Sequence, residues 1–152
     1  RDQAVPAADV ITPNQFELDY LTGRASGSMA EARAALAALH SAGPRVVLVT
    51  SLHLDGTPAD ALDLLAAEEG RAWRLRTPRL GLSVNGAGDA IAALFFVHYL
   101  ETRSAKAALE RAASSVYGLL KRTEEAGSRE ILLVAAQDEF VRPTVAFAAE
   151  EV

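Results

Sequence analysis

The chain has 152 residues, of which 50% are apolar and 23% charged, so it is long and apolar enough to fold around its own core. A net charge of −5 without a long basic run argues against nucleic acid or a membrane surface as a partner. The absence of cysteine excludes disulfides, thiolate catalysis and cysteine-ligated metals. No apolar stretch approaches the roughly 18 residues of a membrane span. We also expect no signal peptide, and we expect a globular protein of the cytoplasm.

The first residue is an arginine and not a methionine. The opening segment, residues 1–6, is typical of the end of a longer structure. We therefore expect residues 1–152 to form one domain that belongs to a longer chain.

The first half of the chain predicts, in order, a strand at 7–12, a helix at 15–21, a helix at 29–41 and a strand at 46–50. Pro13 ends the first strand, because the residue before a proline avoids helical geometry. Asn14 and Ser28 are good N-cap residues for the two helices. Gly23 is suited to end the first of these helices. The run at 46–50 is continuously apolar and β-branched, which is typical of a strand buried on both faces.

The second half predicts a hairpin of 61–67 with 72–76, helices at 87–102 and 106–123, and a last buried strand at 131–134. The alanine and leucine content of 61–67 also fits a helix. The turn signal Glu69-Gly70 and the alternation that follows favour the hairpin. We expect the tail after Pro143 to be peripheral, and the turn Glu68-Glu69 to be solvated.

Alternating strands and helices predict an α/β fold with a mostly parallel sheet that helices cover on both faces. In such sheets, ligands bind beyond the carboxyl ends of the strands. This rule selects the residues that come after the predicted strands, and three such segments would lie along one rim: residues 12–17, 50–51 and 86–89.

The most informative of these segments is Gly86-Ala87-Gly88-Asp89, followed by a long apolar run. Small residues leave the backbone amides of a turn uncovered, and a helix N-terminus favours an anion such as phosphate. Asp89, in the first helical turn, could take a proton from a hydroxyl beside that phosphate. The alternative is an ordinary glycine turn with Asp89 as a capping residue. Neither a P-loop nor a G-x-G-x-x-G motif occurs in the sequence.

The other two rim segments carry oxygen ligands. Asn14 and Glu17 lie three residues apart, where their side chains could contact hydrated Mg²⁺ and phosphate oxygens. They could equally form a capping box at the start of the helix. Thr50 and Ser51 offer two hydroxyl groups after a buried strand, a weak signal by itself.

Together these segments resemble the pyridoxal kinases of the ribokinase-like superfamily. The resemblance is carried by Ile11-Thr12-Pro13-Asn14-Gln15-Phe16-Glu17 with Leu21 and Gly23, by Asn85-Gly86-Ala87-Gly88-Asp89, and by Leu133-Val134-Ala135-Ala136-Gln137-Asp138, which resembles the C-terminal strand of bacterial members. It covers essentially the whole chain. It implies a three-layer α/β/α fold, of which this chain is the C-terminal, nucleotide-binding half.

The resemblance implies ATP-dependent phosphorylation of the 5′-hydroxymethyl group of pyridoxal, which gives pyridoxal 5′-phosphate in vitamin B6 salvage. It implies ATP and Mg²⁺ as cofactors and leaves room for a monovalent cation. It assigns the catalytic base and a substrate contact to Asp89, and the anion hole to Gly86, Ala87 and Gly88. It assigns Mg²⁺ and triphosphate binding to Asn14 and Glu17. Further nucleotide contacts would come from Thr12, Thr50, Ser51, Arg74, Leu75, Arg76 and Thr77, with residues 78–85 beside the adenine.

The resemblance also implies that the other half of the enzyme supplies the pocket around the pyridine ring. We therefore expect this chain alone to be inactive. The resemblance further implies that the full-length protein is a homodimer. Two alternatives stay open. The first is another ribokinase-like kinase, acting on a hydroxymethylpyrimidine or a sugar. The second is a non-catalytic α/β module that associates with a partner chain.

Overall fold

The computed structural model describes residues 3–152 as a sheet with helices on both of its faces. In chain order the elements are α1 (Ala4–Ala7), β1 (Val10–Ile11), α2 (Gln15–Thr22), α3 (Met29–Ala42), β2 (Val46–Leu52), β3 (Ala61–Glu68), β4 (Arg71–Pro78), α4 (Ala87–Thr102), α5 (Ala105–Glu125), a 3₁₀ helix (Gln137–Phe140) and β5 (Glu150–Glu151).

The five strands follow one another in the sheet in sequence order. Strand β1 pairs with β2 in parallel, whereas the β2–β3, β3–β4 and β4–β5 pairs are antiparallel. The predicted α/β fold is confirmed, but the expectation of a mostly parallel sheet is wrong for the described residues. The β3–β4 hairpin, which Glu69 and Gly70 close with positive φ, was predicted, but β2 is also joined to β3 by the short loop 53–60, and β5 pairs antiparallel with β4. A tight turn can join only antiparallel strands.

The two faces of the sheet bury separate clusters, which gives the predicted three layers. On β2, Val46 and Leu48 pack with α4 and α5, whereas Val47 and Val49 pack with α2 and α3. This alternation is the two-residue period of a strand. The prediction that β2 is buried on both faces is therefore confirmed.

The helix ends agree with the capping signals. Asn14 and Ser28 both form capping boxes, with Glu17 and Glu31 respectively. Gly23 has the left-handed conformation that ends α2. The four predicted helices and the hairpin are confirmed, with boundaries that shift by one or two residues. The strand predicted at 7–12 is reduced to Val10–Ile11, and Ala7 ends α1 instead.

The predicted strand at 131–134 is wrong, and so is the strand expected from the resemblance of 133–138. This segment forms turns that lead into the 3₁₀ helix, and the side chain of Val134 is 81% exposed. The amide of Leu132 donates to Thr123 Oγ1 at the end of α5 instead of to a strand. A short apolar run does not by itself distinguish a strand from other structure.

The tail after Pro143 is not peripheral, because its last residues extend the sheet. Strand β5 pairs with β4, and Ala149 is buried in the cluster on the α4–α5 face. Three backbone amides of the tail donate to side chains that precede it: Thr144 N to Glu139, Phe147 N to Ser114 and Ala149 N to Glu110.

Among residues 3–152, no helix has the length and apolar character that crossing a membrane would require.

Candidate active site

A cavity of about 320 Å³ opens at the end of the sheet on the face covered by α4 and α5. It brings together residues from two of the three predicted rim segments and from the loop before α4. Its lining is largely apolar and consists of Thr50, Ser51, Leu62, Leu64, Thr77, Pro78, Leu80, Leu82, Ser83, Val84, Ala87, Gly88, Ile91, Ala113, Val116, Tyr117 and Leu120. An apolar pocket with a few polar groups at one end is typical of a small-molecule site.

A β-bulge in β2 places Thr50 and Ser51 at this cavity. The pairing with β3 runs Val49 to Leu65 and then Leu52 to Asp63, so β2 carries one extra residue at this point. Ser51 has a φ of 54°, in the left-handed region that residues other than glycine rarely adopt. Because of the extra residue, Leu52 returns to the opposite core while both hydroxyl residues line the cavity.

The start of α4 leaves backbone donors open beside the cavity. Gly86 is the N-cap residue, with a φ of 90°, and no side chain of residues 3–152 caps this helix end. The first amides of a helix have no partner within the helix. The carboxylate of Asp89 is exposed in the first turn and is not buried among aliphatic side chains. This arrangement can receive an anion and place a base beside it.

Asn14 and Glu17 form the capping box that was the alternative to metal binding. Asn14 Oδ1 accepts from Glu17 N at 2.9 Å, and Glu17 Oε2 accepts from Asn14 N at 2.8 Å. The Glu17 side chain is exposed, so its second carboxylate oxygen stays available. Backbone pairing between Asn14 and Thr50 brings this helix end next to the bulge.

Within the described residues, no three His, Cys, Asp or Glu side chains form a group that could enclose a metal. Mg²⁺ commonly keeps several waters and uses one or two carboxylates together with phosphate oxygens. The free oxygen of Glu17 fits such a partial site and not an all-protein cage.

Only part of segment 74–77, in β4, lies at the cavity. Thr77 lines it, and Leu75 is buried on the same face of the sheet. Arg74 and Arg76 alternate with these residues and therefore point to the other face, where they pair with Glu150 and Asp63.

The Arg76–Asp63 pair is part of the scaffold. Burial alone would raise the pKa of Asp63, but hydrogen bonds from Arg76 and Thr57 and the charge of Arg76 lower it below its ordinary value. The hydrogen bond to Asp63 in turn raises the pKa of Arg76. Neither arginine side chain is directed at the cavity.

Thr12 lies apart from the cavity. It borders a separate cleft between the end of β1 and α4, together with Asp9, Val10, Ala92 and Phe96. The predicted rim is therefore divided into a main cavity and a neighbouring cleft.

Sequence reasoning missed one wall of the cavity. It consists of residues on one face of α5, namely Ala113, Val116, Tyr117 and Leu120. They follow one another at intervals of three, one and three residues, which is the spacing of one face of a helix. This pattern is visible in the sequence. The stripe alone does not tell whether it faces a core or a cavity.

The loop 78–85, which the resemblance places beside the adenine, contributes several lining residues.

The three-layer fold, with an uncapped helix end at the rim of its sheet, places the chain in the ribokinase-like class of α/β proteins. The family model described as phosphomethylpyrimidine kinase matches residues 1–133. The chain therefore belongs to the phosphomethylpyrimidine kinase family.

The similar proteins include pyridoxal kinases, as the sequence motifs predicted. Pyridoxal kinase PdxY of Granulibacter bethesdensis is 58% identical over 99% of this chain and 54% of its own length. The crystal structure of pyridoxal kinase from Entamoeba histolytica matches with a TM-score of 0.84 at 26% identity, over 99% of this chain and 53% of that one. The crystal structure of a candidate phosphomethylpyrimidine kinase from Bacteroides thetaiotaomicron matches with a TM-score of 0.88 at 25% identity, over 99% of this chain and 54% of that one. The chain thus spans about half the length of these relatives.

Proposed function

We propose that the complete protein is a pyridoxal kinase, which transfers the γ-phosphoryl group of ATP to the 5′-hydroxymethyl group of pyridoxal. The observation that carries this proposal is the uncapped N-terminus of α4, with the exposed Asp89 carboxylate in its first turn. The apolar cavity beside it has a size and character suited to a nucleotide base. Similarity to pyridoxal kinase PdxY over the whole chain supports the choice of substrate.

In the proposed reaction, the hydroxyl oxygen of pyridoxal attacks the γ-phosphorus of ATP. One P–O bond forms, the bond to the leaving ADP oxygen breaks, and the hydroxyl proton passes to Asp89. The amides of the N-cap residue Gly86 and of Ala87 and Gly88, at the start of α4, would donate to the charged phosphoryl oxygens. Most of the catalysis would come from this positioning and charge stabilisation.

The remaining predicted contacts lie at three places: the cavity, the start of α2 and the neighbouring cleft. Thr50, Ser51 and Thr77 line the cavity and are proposed to contact the nucleotide. Glu17 is proposed to hold Mg²⁺ through its free oxygen, with Asn14 orienting the helix start; the ion would neutralise phosphate charge. Thr12 is proposed to act at the neighbouring cleft. Arg74, Leu75 and Arg76 are not included in this proposal.

A second candidate is phosphorylation of a hydroxymethylpyrimidine. The matching family model and the Bacteroides neighbour both carry that description. The two functions share the phosphoryl-transfer machinery and differ in the acceptor. A panel of pyridoxal, hydroxymethylpyrimidine and sugar alcohols, assayed with Mg-ATP and the complete protein, separates them by kcat/KM.

The test of the proposed base is Asp89→Asn in the complete protein. We expect kcat with pyridoxal to fall by about 10²- to 10⁴-fold, because the amide cannot accept the proton. The fold should persist, since the Asp89 side chain is exposed. The matched control is Asp55→Asn, which changes another exposed aspartate in a loop away from the cavity. Unchanged turnover in Asp89→Asn would refute the assignment.

Two further expectations concern the complete protein, and a third concerns this chain alone. Sedimentation should give a homodimer, and fractionation should find the protein in the cytoplasm. This chain alone should bind Mg-ATP but should not support turnover. A titration that detects no Mg-ATP binding would favour the non-catalytic module.

A further inference from the structure

Ser51 is held in an uncommon backbone conformation at the rim of the cavity. Its φ of 54° is unfavourable for a residue with a Cβ atom. Such conformations persist only where the surrounding structure determines them, and they cluster at functional sites. The contacts on either side of Ser51 therefore show what holds it.

On the N-terminal side, the backbone of Thr50 is fixed by the segment that leads into α2. Thr50 N donates to Pro13 O at 3.0 Å, and Thr50 pairs with Asn14 in a short parallel bridge. This contact joins the bulge to the start of α2.

On the C-terminal side, the side chain of Gln15 takes the place of a neighbouring strand. His53 N donates to Gln15 Oε1 at 3.0 Å, and Gln15 Nε2 donates to His53 O at 3.4 Å. Gln15 Nε2 also donates to Ser26 O at 3.0 Å, which fixes the position of the amide. Between these contacts, Leu52 is buried in the opposite core.

We propose that Gln15 is a positioning residue: by pairing with the backbone of His53, it holds Ser51 in the left-handed conformation that lines the cavity. Thr50 and His53 are then fixed on both sides of Ser51, and the bulge has little freedom to flatten. The part of this inference that concerns ATP rests on the proposed function.

The first test measures hydrogen exchange of segment 50–53 in the complete protein. In Gln15→Glu the side chain keeps its size but loses both amide donors, and a carboxylate oxygen faces the carbonyls of Ser26 and His53. We expect faster exchange in 50–53 without a comparable change in the core strands. The matched control is Gln137→Glu, at an exposed glutamine in the 3₁₀ helix. Exchange at the wild-type rate in Gln15→Glu would overturn the proposal, whatever the protein phosphorylates.

The second test measures binding and turnover with Mg-ATP. We expect Gln15→Glu to raise the KM for ATP about tenfold, with kcat changed less than about threefold, because the side chain acts on a binding residue and not on the reacting atoms. Gln137→Glu should leave both constants unchanged. A fall in kcat at unchanged KM would contradict the proposed role. If the wild-type protein binds no ATP, the proposed function fails, and the exchange experiment still decides the role of Gln15.

A double-mutant cycle separates this role from general destabilisation. Glycine adopts positive φ without strain, so Ser51→Gly should retain the bulge without help from Gln15. In the Ser51→Gly background, we expect Gln15→Glu to raise the KM for ATP less than about threefold. The same tenfold effect in both backgrounds would show that Gln15 does not act through Ser51.

Discussion

At the scale of single residues, the two glycines before Asp89 differ in what they contribute. Gly86 has a φ of 90°, so its backbone conformation requires glycine. Gly88 has no such requirement, and a Cβ added there would meet no atom within 4 Å apart from its chain neighbours and the nearby backbone of its own helix. The protein itself thus leaves space at Gly88, on the wall of the cavity.

This difference yields a prediction for Gly88→Ala. Alanine is the better helix former, so we expect the free energy of unfolding to stay equal or rise by about 0.5–1 kcal/mol. If the space is used by phosphate, the methyl group should weaken Mg-ATP binding by about tenfold or more. Urea unfolding of Gly88→Ala checks the expected stability, and an ATP titration of the same variant checks the expected loss of binding. Wild-type affinity would contradict an anion site at this helix end.

Tyr99 is a second residue whose surroundings predict a measurable property. Its hydroxyl donates to Glu68 Oε1, and Glu68 Oε2 accepts from Ala105 N at 3.0 Å, at the start of α5. Glu68 is therefore not the solvated turn residue that the sequence suggested, whereas Glu69 is exposed. The hydrogen bond to Glu68, burial and the nearby negative charge together raise the pKa of Tyr99 to about 12.

A raised pKa in the folded state favours the protonated tyrosine. The stabilisation is complete below the ordinary value of 10.0 and is lost as the pH rises from 10 towards 12. We expect Tyr99→Phe to lower the free energy of unfolding at pH 8 by about 1 kcal/mol and to flatten its decline above pH 10. Denaturant unfolding across this pH range, with Tyr20→Phe at an exposed tyrosine as control, is the measurement. Parallel pH curves for wild type and Tyr99→Phe would contradict the assignment.

At the scale of elements, the packing of the 3₁₀ helix against α5 depends on a buried carboxylate. Glu139 is fully buried, and its Oε2 accepts from Thr144 N at 2.8 Å. Arg122 Nη1 lies 3.8 Å from its Oε1. The carboxylate lies against Gly118, where an added Cβ would overlap Glu139 Oε2. Glycine at 118 is therefore needed for close approach and not for its backbone freedom.

We predict that Gly118→Ala lowers the free energy of unfolding by about 1–3 kcal/mol, although alanine has the higher helix propensity. Urea unfolding measures the loss. In the Glu139→Ala background the overlap is absent, so adding Gly118→Ala there should cost little or should stabilise the helix. Equal costs in both backgrounds would show that the overlap with Glu139 is not the cause.

At the scale of the whole molecule, the described half-sheet ends at β1, which pairs only with β2. Helix α4 is apolar on nearly all sides, and Phe96, Val97 and Leu100 on its outer face are each close to half exposed. A helix that is apolar all round is ordinarily buried on both sides. Phe96, Val97 and Leu100 thus give the described residues an apolar surface that the other elements of residues 3–152 leave partly uncovered.

The sequence by itself determined the features that depend on local chemistry. The capping boxes at Asn14 and Ser28, the tight hairpin at Glu69-Gly70 and the glycine-rich start of α4 are each set by a few neighbouring residues. The resemblance to pyridoxal kinases likewise came from short motifs, and a pyridoxal kinase relative is similar over 99% of the chain.

Only the tertiary structure decided which side chains meet at the cavity. Because side chains alternate between the two faces of a strand, Arg74 and Arg76 point away from the cavity. An extra residue in β2 places Ser51 at the cavity. The wall from α5 and the pairing of β5 likewise depend on contacts between residues far apart in the chain. Such contacts form where burial is favourable for the whole molecule, and local sequence patterns do not encode that balance.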